Sequence, residues 1–265
     1  MLYFPQLYSG ATAQYPFVKR RIFRTITNAA PDGRMLKLGD PAWSMAEWEL
    51  RFETLSSQER TELRTFFNTV EGRLGEFTFL DPTDNLLVRS GDLAAAAWTK
   101  GPLVQISAGQ ADPEGGSEAT HVSNTGAGTQ SVQQTIEGPG WFHYCFSFYA
   151  SSEQPVSLAV FRCTGGVEAA RSYPVNSRWT RLALSGRSHG AQESITFGIS
   201  LEAGAAVNVY GMQVEAQPAP SAYRKTTSRG GVHANARFND DVLDLTSEGP
   251  EQHSSTIRIV ASLAS

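Results

Sequence analysis

Residues 256–263 alternate strictly, with Ile257, Ile259, Ala261 and Leu263 on one side and Thr256, Arg258, Val260 and Ser262 on the other. That is the pattern of a β-strand with one apolar face. A lone amphipathic strand cannot bury such a face by itself, so it must complete a sheet begun elsewhere. The cheapest partner is the N-terminal region, and that choice makes the middle of the chain an insertion whose ends lie close together.

The N-terminal region has strands of the same habit. Ala46, Trp48, Leu50 and Phe52 alternate with Glu47, Glu49, Arg51 and Glu53, which predicts a strand with one wet face over residues 46–54. The charged face discourages uncontrolled edge pairing, because burying those side chains unpaired is costly. On so flat a surface nothing is expected to perturb the pKa of Glu47, Glu49 or Glu53. Ser56 and Glu59 then form a capping-box pattern, and Leu63, Phe66, Phe67 and Val70 share one helical face that reads as core. Gly72 is placed to stop the helix. A strand over residues 75–80 follows, and Asp81-Pro82 breaks it. Upstream, residues 18–27 and 35–38 read as two strands of a hairpin around the turn-rich stretch 28–33.

From Asn85 onward the texture changes to short β-rich runs punctuated by Gly, Ser, Thr, Asn and Pro, the habit of a β-sandwich. Candidate strands are 103–107, 129–136, 141–150, 156–163, 178–185, 194–201 and 207–215, so seven or eight strands should fill two sheets. In the strongest of them Phe142, Tyr144, Phe146 and Phe148 share the core face, while Trp141, His143, Cys145, Ser147 and Tyr149 share the other. Trp98 is expected to plug one end of the sandwich, and Trp179 lies in a later strand. Gly138-Pro139-Gly140 and Gly165-Gly166 read as hairpin turns. The β-rich stretch ends at Gln217-Pro218-Ala219-Pro220, and residues 226–231 lead away from it.

A length of 265 residues favours two domains, and 40% hydrophobic residues with 10% aromatics suffice to fold most of the chain. The net charge of -4, with basic residues scattered, removes the phosphate attraction that nucleic-acid binders need. Lys19, Arg20 and Arg21 with Arg24 are the local exception, read as the solvated face of an edge strand or as a subunit contact. The N-terminus lacks the pattern of a secretory signal, and no apolar run reaches membrane-spanning length, so the expectation is a soluble protein made in a cytoplasm. Two cysteines, Cys145 and Cys163, lack metal-site spacing; packed thiols are the default, with a bridge between neighbouring strands left open.

The sequence shows no constellation for catalysis. The five histidines, His121, His143, His189, His233 and His253, sit in unrelated segments, with no zinc-protease helix motif, nucleophile elbow or phosphate loop. An acid pair for glycoside hydrolysis can still assemble in space. Sugar recognition works by stacking an aromatic face on pyranose C–H groups, and Trp141, His143 and Tyr149 form a candidate platform unless a loop or a neighbouring subunit covers them. No catalytic, cofactor-binding or metal site is assigned. The Asp112-Pro113-Glu114-Gly115 turn offers some oxygens for Ca²⁺, but nothing fixes the others.

Two resemblances cover most of the chain. The segment from Trp48 to Asn85 resembles the N-terminal part of phage and prophage distal-tail or tail-tip proteins, including those of gene transfer agents. Trp48-Glu49-Leu50-Arg51-Phe52, Glu59, Leu63, Phe66-Phe67, Gly72-Arg73-Leu74 and Phe77-Thr78-Phe79-Leu80-Asp81-Pro82 carry it. Asn85-Leu86-Leu87-Val88-Arg89-Ser90 and Ala97-Trp98-Thr99-Lys100 are similar to the start of jelly-roll modules of the carbohydrate-binding-module kind. Val209-Tyr210-Gly211-Met212-Gln213-Val214-Glu215 and Ala222-Tyr223 match their closing pattern.

The expectation is therefore an all-β protein with one helix. A tail-tip β-barrel or sandwich domain, residues 1–84 plus 226–265, is interrupted by a jelly-roll β-sandwich insertion, residues 85–225. The resemblance implies a non-enzymatic virion component, made in the host bacterial cytoplasm and placed at the tail tip. It implies a homo-oligomeric ring, commonly a hexamer, that joins tail tube to hub and receptor-binding parts, with no cofactor. The alternatives are a host-surface glycan adhesin and, further off, a tail-associated polysaccharide hydrolase.

Overall fold

The computed structural model describes residues 1–187 and 190–263, so His189 lies outside the described residues. The chain is nearly all β with one helix. It opens with β1 (Val18–Ala29), β2 (Met35–Leu55), the helix α1 (Ser57–Thr69) and β3 (Phe77–Leu80). Then come β4 (Thr99–Lys100), β5 (Val104–Gln110), β6 (Ala119–Asn124), β7 (Gln130–Glu137), β8 (His143–Ser151) and β9 (Val156–Thr164). They are followed by β10 (Val167–Val175), β11 (Thr180–Arg187), β12 (Ser194–Leu201) and β13 (Ala206–Glu215). Last are β14 (Val232–Phe238), β15 (Thr246–Gly249) and β16 (Gln252–Ser262). Two compact units result. Unit 1 is Met1–Tyr8, Ala13–Phe79 and His233–Ser265; unit 2 is Ser9–Thr12 and Leu80–Val232.

Unit 1 is a six-stranded sheet in the order β1-β2-β16-β14-β3, with β15 paired to β16. The terminal strand completes the sheet begun before the helix: Ile257 pairs with Leu50 and Ile259 with Trp48, antiparallel. All four side chains are buried, each stabilising the unit by about 1.5–3 kcal/mol. Helix α1 starts in a complete capping box between Ser56 and Glu59. It buries Leu63 and sets Phe66 and Phe67 against the same core. At the β3 edge, Thr78 donates to the Leu2 carbonyl (2.8 Å) and accepts from the Phe4 amide (3.0 Å). Phe4 is buried in the core, its ring 5.7 Å from that of Phe79.

Residues 35–55 form one long strand rather than two short ones. Gly39 and Asp40 read locally as a break, but β1 pairs alongside from Ala29↔Met35 to Val18↔Glu49, and the ladder overrides the punctuation. Among the described residues that ladder shows a register shift between Ile22 and Arg24. On the wet face the carboxyl of Glu49 is held below its ordinary pKa, first by the hydrogen bond from Arg51 and then by that from Arg20. The expectation of unperturbed glutamates therefore fails at this residue. Arg20 spans Glu47 at 2.8 Å and Glu49 at 3.1 Å, so these basic and acidic side chains pair inside one chain.

Unit 2 is a jelly-roll β-sandwich of two five-stranded sheets, β10-β9-β12-β7-β4 and β11-β8-β13-β6-β5. Tyr144, Phe146 and Phe148 of β8 meet Phe197 and Ile199 of β12 in its core. The ten strands exceed the expected seven or eight, because β4, β6 and β10 lacked a legible pattern. Trp98 is buried with its indole N–H on the Arg89 carbonyl (3.0 Å). Gly165 and Gly166, at φ 57° and 81°, make the two-residue turn between β9 and β10, which a side chain would strain. Cys145 and Cys163 are both free and lie in different sheets. Burial, with Glu215 adding to it, pushes the Cys145 thiol up to about 12, so it is inert at neutral pH.

Candidate functional site

The outer face of the β11-β8-β13-β6-β5 sheet carries the residues that sequence reasoning placed together. His143 and Tyr149 do share that face of β8, but they stand at opposite ends, roughly 20 Å apart at strand rise. Trp141 precedes the strand and is 45% exposed, its ring 6.2 Å from that of Phe142. The three side chains do not form one platform.

Between His143 and Tyr149 the face is covered. Cys145 and Ser147 are fully buried, because the chain after β13 turns back across them. Ser185 donates to the Pro218 carbonyl, and Arg181 donates to Ser147 Oγ (3.0 Å) and to the Ser221 carbonyl (2.5 Å). Glu215 accepts from the Ser221 amide (3.0 Å) and from Gln217 (2.8 Å).

His143 is closed off in the same way. Since the Ser185 hydroxyl gives its proton to Pro218, His143 Nε2 is the donor to Ser185 Oγ, at 2.9 Å. Burial first, then the charges of Arg187 and Arg162, lowers the imidazole pKa. Gly10 lies against this side chain: a Cβ there would come within 2.8 Å of the His143 Cβ and 2.9 Å of the ring. A second serine–histidine contact, Ser57 Oγ to His253 Nε2 at 3.2 Å, follows the same logic. Ser57 donates to the Pro250 carbonyl and Ser247 supports Nδ1, so His253 braces the start of α1 rather than activating a nucleophile.

The face opens beyond Tyr149. Asn208 of β13 sits beside Ser151 of β8 and His121 of β6. An open cleft of about 380 Å³ is lined there by Ser107, His121, Glu153, Gln154 and Asn208. The Asn208 amide oxygen accepts from His121 Nδ1 at 2.9 Å. In the neutral imidazole that bond places the proton on Nδ1 and leaves Nε2 as an acceptor, and the amide NH₂ remains a donor. Tyr149 is the diagonal neighbour of Asn208 on this face. Its ring carries the Arg181 guanidinium at 5.5 Å and meets Tyr210 at 6.2 Å. Tyr210 is buried, and its hydroxyl pKa is raised by that burial and then by the Glu114 carboxylate. Sequence reasoning passed over His121 and Asn208. They are 87 residues apart, and only the β6–β13 pairing brings them together.

The Asp112 turn spends its oxygens on the backbone. Its carboxylate accepts the amides of Glu114, Gly116 and Glu118, each at 2.9 Å. These bonds, that from Glu118 foremost, hold its pKa below the ordinary value. Among the described residues no group of three or more His, Cys, Asp or Glu is placed to hold a metal ion.

No protein-family model and no curated protein matches the chain. Among solved structures it is similar to the enzymatically active domain of bacteriophage CBA120 tailspike protein 4. The identity is 16% and the TM-score 0.42, over 52% of this chain and 22% of that one. It is also similar to the C-terminal family 22 carbohydrate-binding module of Clostridium thermocellum Xyn10B (16% identity, TM-score 0.42, 53% of this chain and 99% of that one). A third is TmCBM61, solved with β-1,4-galactotriose (17% identity, TM-score 0.38, 49% and 97%).

Proposed function

We propose that unit 2 is a glycan-binding module whose ligand lies in the His121–Asn208 cleft. The observation that carries this reading is the cleft's chemistry. An imidazole hydrogen-bonded to an amide, together with hydroxyls, lines an open hollow on a rigid sheet. Such a set reads the alternating donors and acceptors of sugar hydroxyls. Among the described residues lining the cleft Glu153 is the only carboxylate. The common glycoside hydrolysis mechanisms use a carboxylate pair, so this lining favours binding.

The test is a glycan array on the full chain, with affinities then measured for the best ligand. Asn208→Ala and His121→Ala should each weaken binding about tenfold, the worth of one good polar contact, while Trp141→Ala leaves it unchanged. Loss of binding in Trp141→Ala alone would move the site to the other end of the face. A blank array across host polysaccharides would remove the reading.

For unit 1 we propose a mounting role of the tail-tip kind, with placement in a virion and contacts to tube and hub. What supports it is the resemblance of residues 48–85, together with residues 35–40 of β2, which pair with β1 beyond the reach of β16.

A further inference from the structure

We propose that the His121–Asn208 cleft of unit 2 selects glycans bearing a free amino group and turns acidic ones away, with Glu153 the residue that decides. The inference rests on the glycan-binding reading of that cleft and names its substrate class. Glu153 lines the hollow, and among the described residues lining it there is no Lys or Arg. Four stretches build it: residues 104–110 of β5, 119–124 of β6, 151–157 around the β8–β9 turn and 201–208 around the β12–β13 turn. Between them they carry two carboxylates, Glu153 and Glu202, both exposed, and no Lys or Arg.

Nothing nearby in the chain cancels that charge. Among the described residues Glu153 makes no ion pair with a basic side chain. The Glu202 carbonyl accepts the Ala205 amide at 3.1 Å, closing the tight turn that brings Gly204 to the rim. Arg181, across the ladder from Tyr149, is turned the other way along β8, to Ser147 Oγ at 3.0 Å and to the Ser221 carbonyl. A hollow walled by one sign of charge focuses its field on whatever enters.

Hydrogen bonding runs in the same direction. An ammonium has three donors and no acceptor. The Ser152 hydroxyl gives its proton to the carbonyls of Gln154 (2.6 Å) and Ala206 (2.7 Å), so its oxygen meets a ligand as an acceptor. In the neutral imidazole His121 Nε2 is an acceptor as well, the proton on Nδ1 being spent on Asn208. Together with the Glu153 carboxylate, these are partners that an ammonium can use. A uronic acid or a sulfate brings only further lone pairs and like charge to them, which costs affinity. The amides of Gln110, Gln154 and Asn208 remain as donors for ordinary sugar hydroxyls.

The test is an array, probed with the full chain, that carries the hexosamine, the hexose and the uronic acid on each of several backbones, glucosamine, glucose and glucuronic acid among them. At a pH where the sugar amine is protonated, the wild type should bind the amino form about fivefold more tightly than the neutral one, and the acidic form about fivefold more weakly. Rising salt should shrink both steps as the charges are screened. Glu153→Gln should level the amino and neutral forms, and Glu153→Lys should reverse the order so that the acidic form binds best. Binding that ignores charge in the wild type overturns this inference and leaves the glycan-binding reading standing. An amino preference that survives in both variants overturns the role of Glu153. A blank array removes the reading and the inference together.

Discussion

Asn85 is completely buried, and its amide is fully used. The oxygen accepts the Leu87 and Val214 amides at 3.1 Å each, and the nitrogen donates to the carbonyls of Met212 (2.8 Å) and Arg224 (3.2 Å). One side chain thus ties the entry to unit 2 to its last strand and to the segment leaving it. Asn85→Leu removes all four bonds and strands buried backbone groups, each costing about 1–3 kcal/mol when left without a partner. We expect a loss of about 3 kcal/mol or more, read as a lower urea midpoint for the unit 2 transition. An unchanged midpoint would show that the clip carries no weight. The same residue shows what sequence reading reaches: Asn85 marks the change of texture, but its four partners lie up to 139 residues away. His121 and Asn208 were illegible for the same reason.

Strands were legible where large apolar side chains alternate with small or polar ones. Strand β8 is such a case, with Phe146 fully buried and its ring 5.3 Å from Phe148 and 5.8 Å from Phe197. Phe146→Ala should cost about 3–5 kcal/mol, seen as destabilisation of unit 2 in a chemical melt; near-wild-type stability would contradict this packing. Strand β6 was missed because Ala-Thr-His-Val-Ser-Asn carries small and polar side chains on both faces. It is held by two neighbours, β5 and β13, and its Asn124 is buried with its amide on the carbonyls of Gly128, Leu201 and Glu202. Polar groups satisfied inside a sandwich leave no hydrophobic period to read. Strand β2 erred in the opposite direction, since turn-forming residues within it were overridden by a ladder that only the three-dimensional pairing supplies.

At the scale of the molecule the chain leaves unit 1 after Phe79 and returns at His233. The two passages are close, for Asp81 donates to the Gly231 carbonyl and Gly231 to that of Asn85, both at 2.8 Å. Adjacent ends let a sandwich be inserted without distorting the sheet that the terminal strand completes. One further crossing had no sequence signal: Ser9–Thr12 belongs to unit 2. There Thr12 is buried, its hydroxyl on the Ala216 carbonyl at 3.2 Å, and Gly10, at φ 84°, lies against His143. A side chain at Gly10 would both strain the backbone and strike the imidazole. Gly10→Val should therefore dislodge this strap and uncover the His143 end of the outer sheet face. Hydrogen exchange should quicken across residues 9–12 and around His143 while β16 stays protected, because the strap contributes to unit 2 and the terminal strand to unit 1. Equal loosening of β16 would mean that the two units unfold as one and that the division at Phe79 and His233 has no energetic meaning.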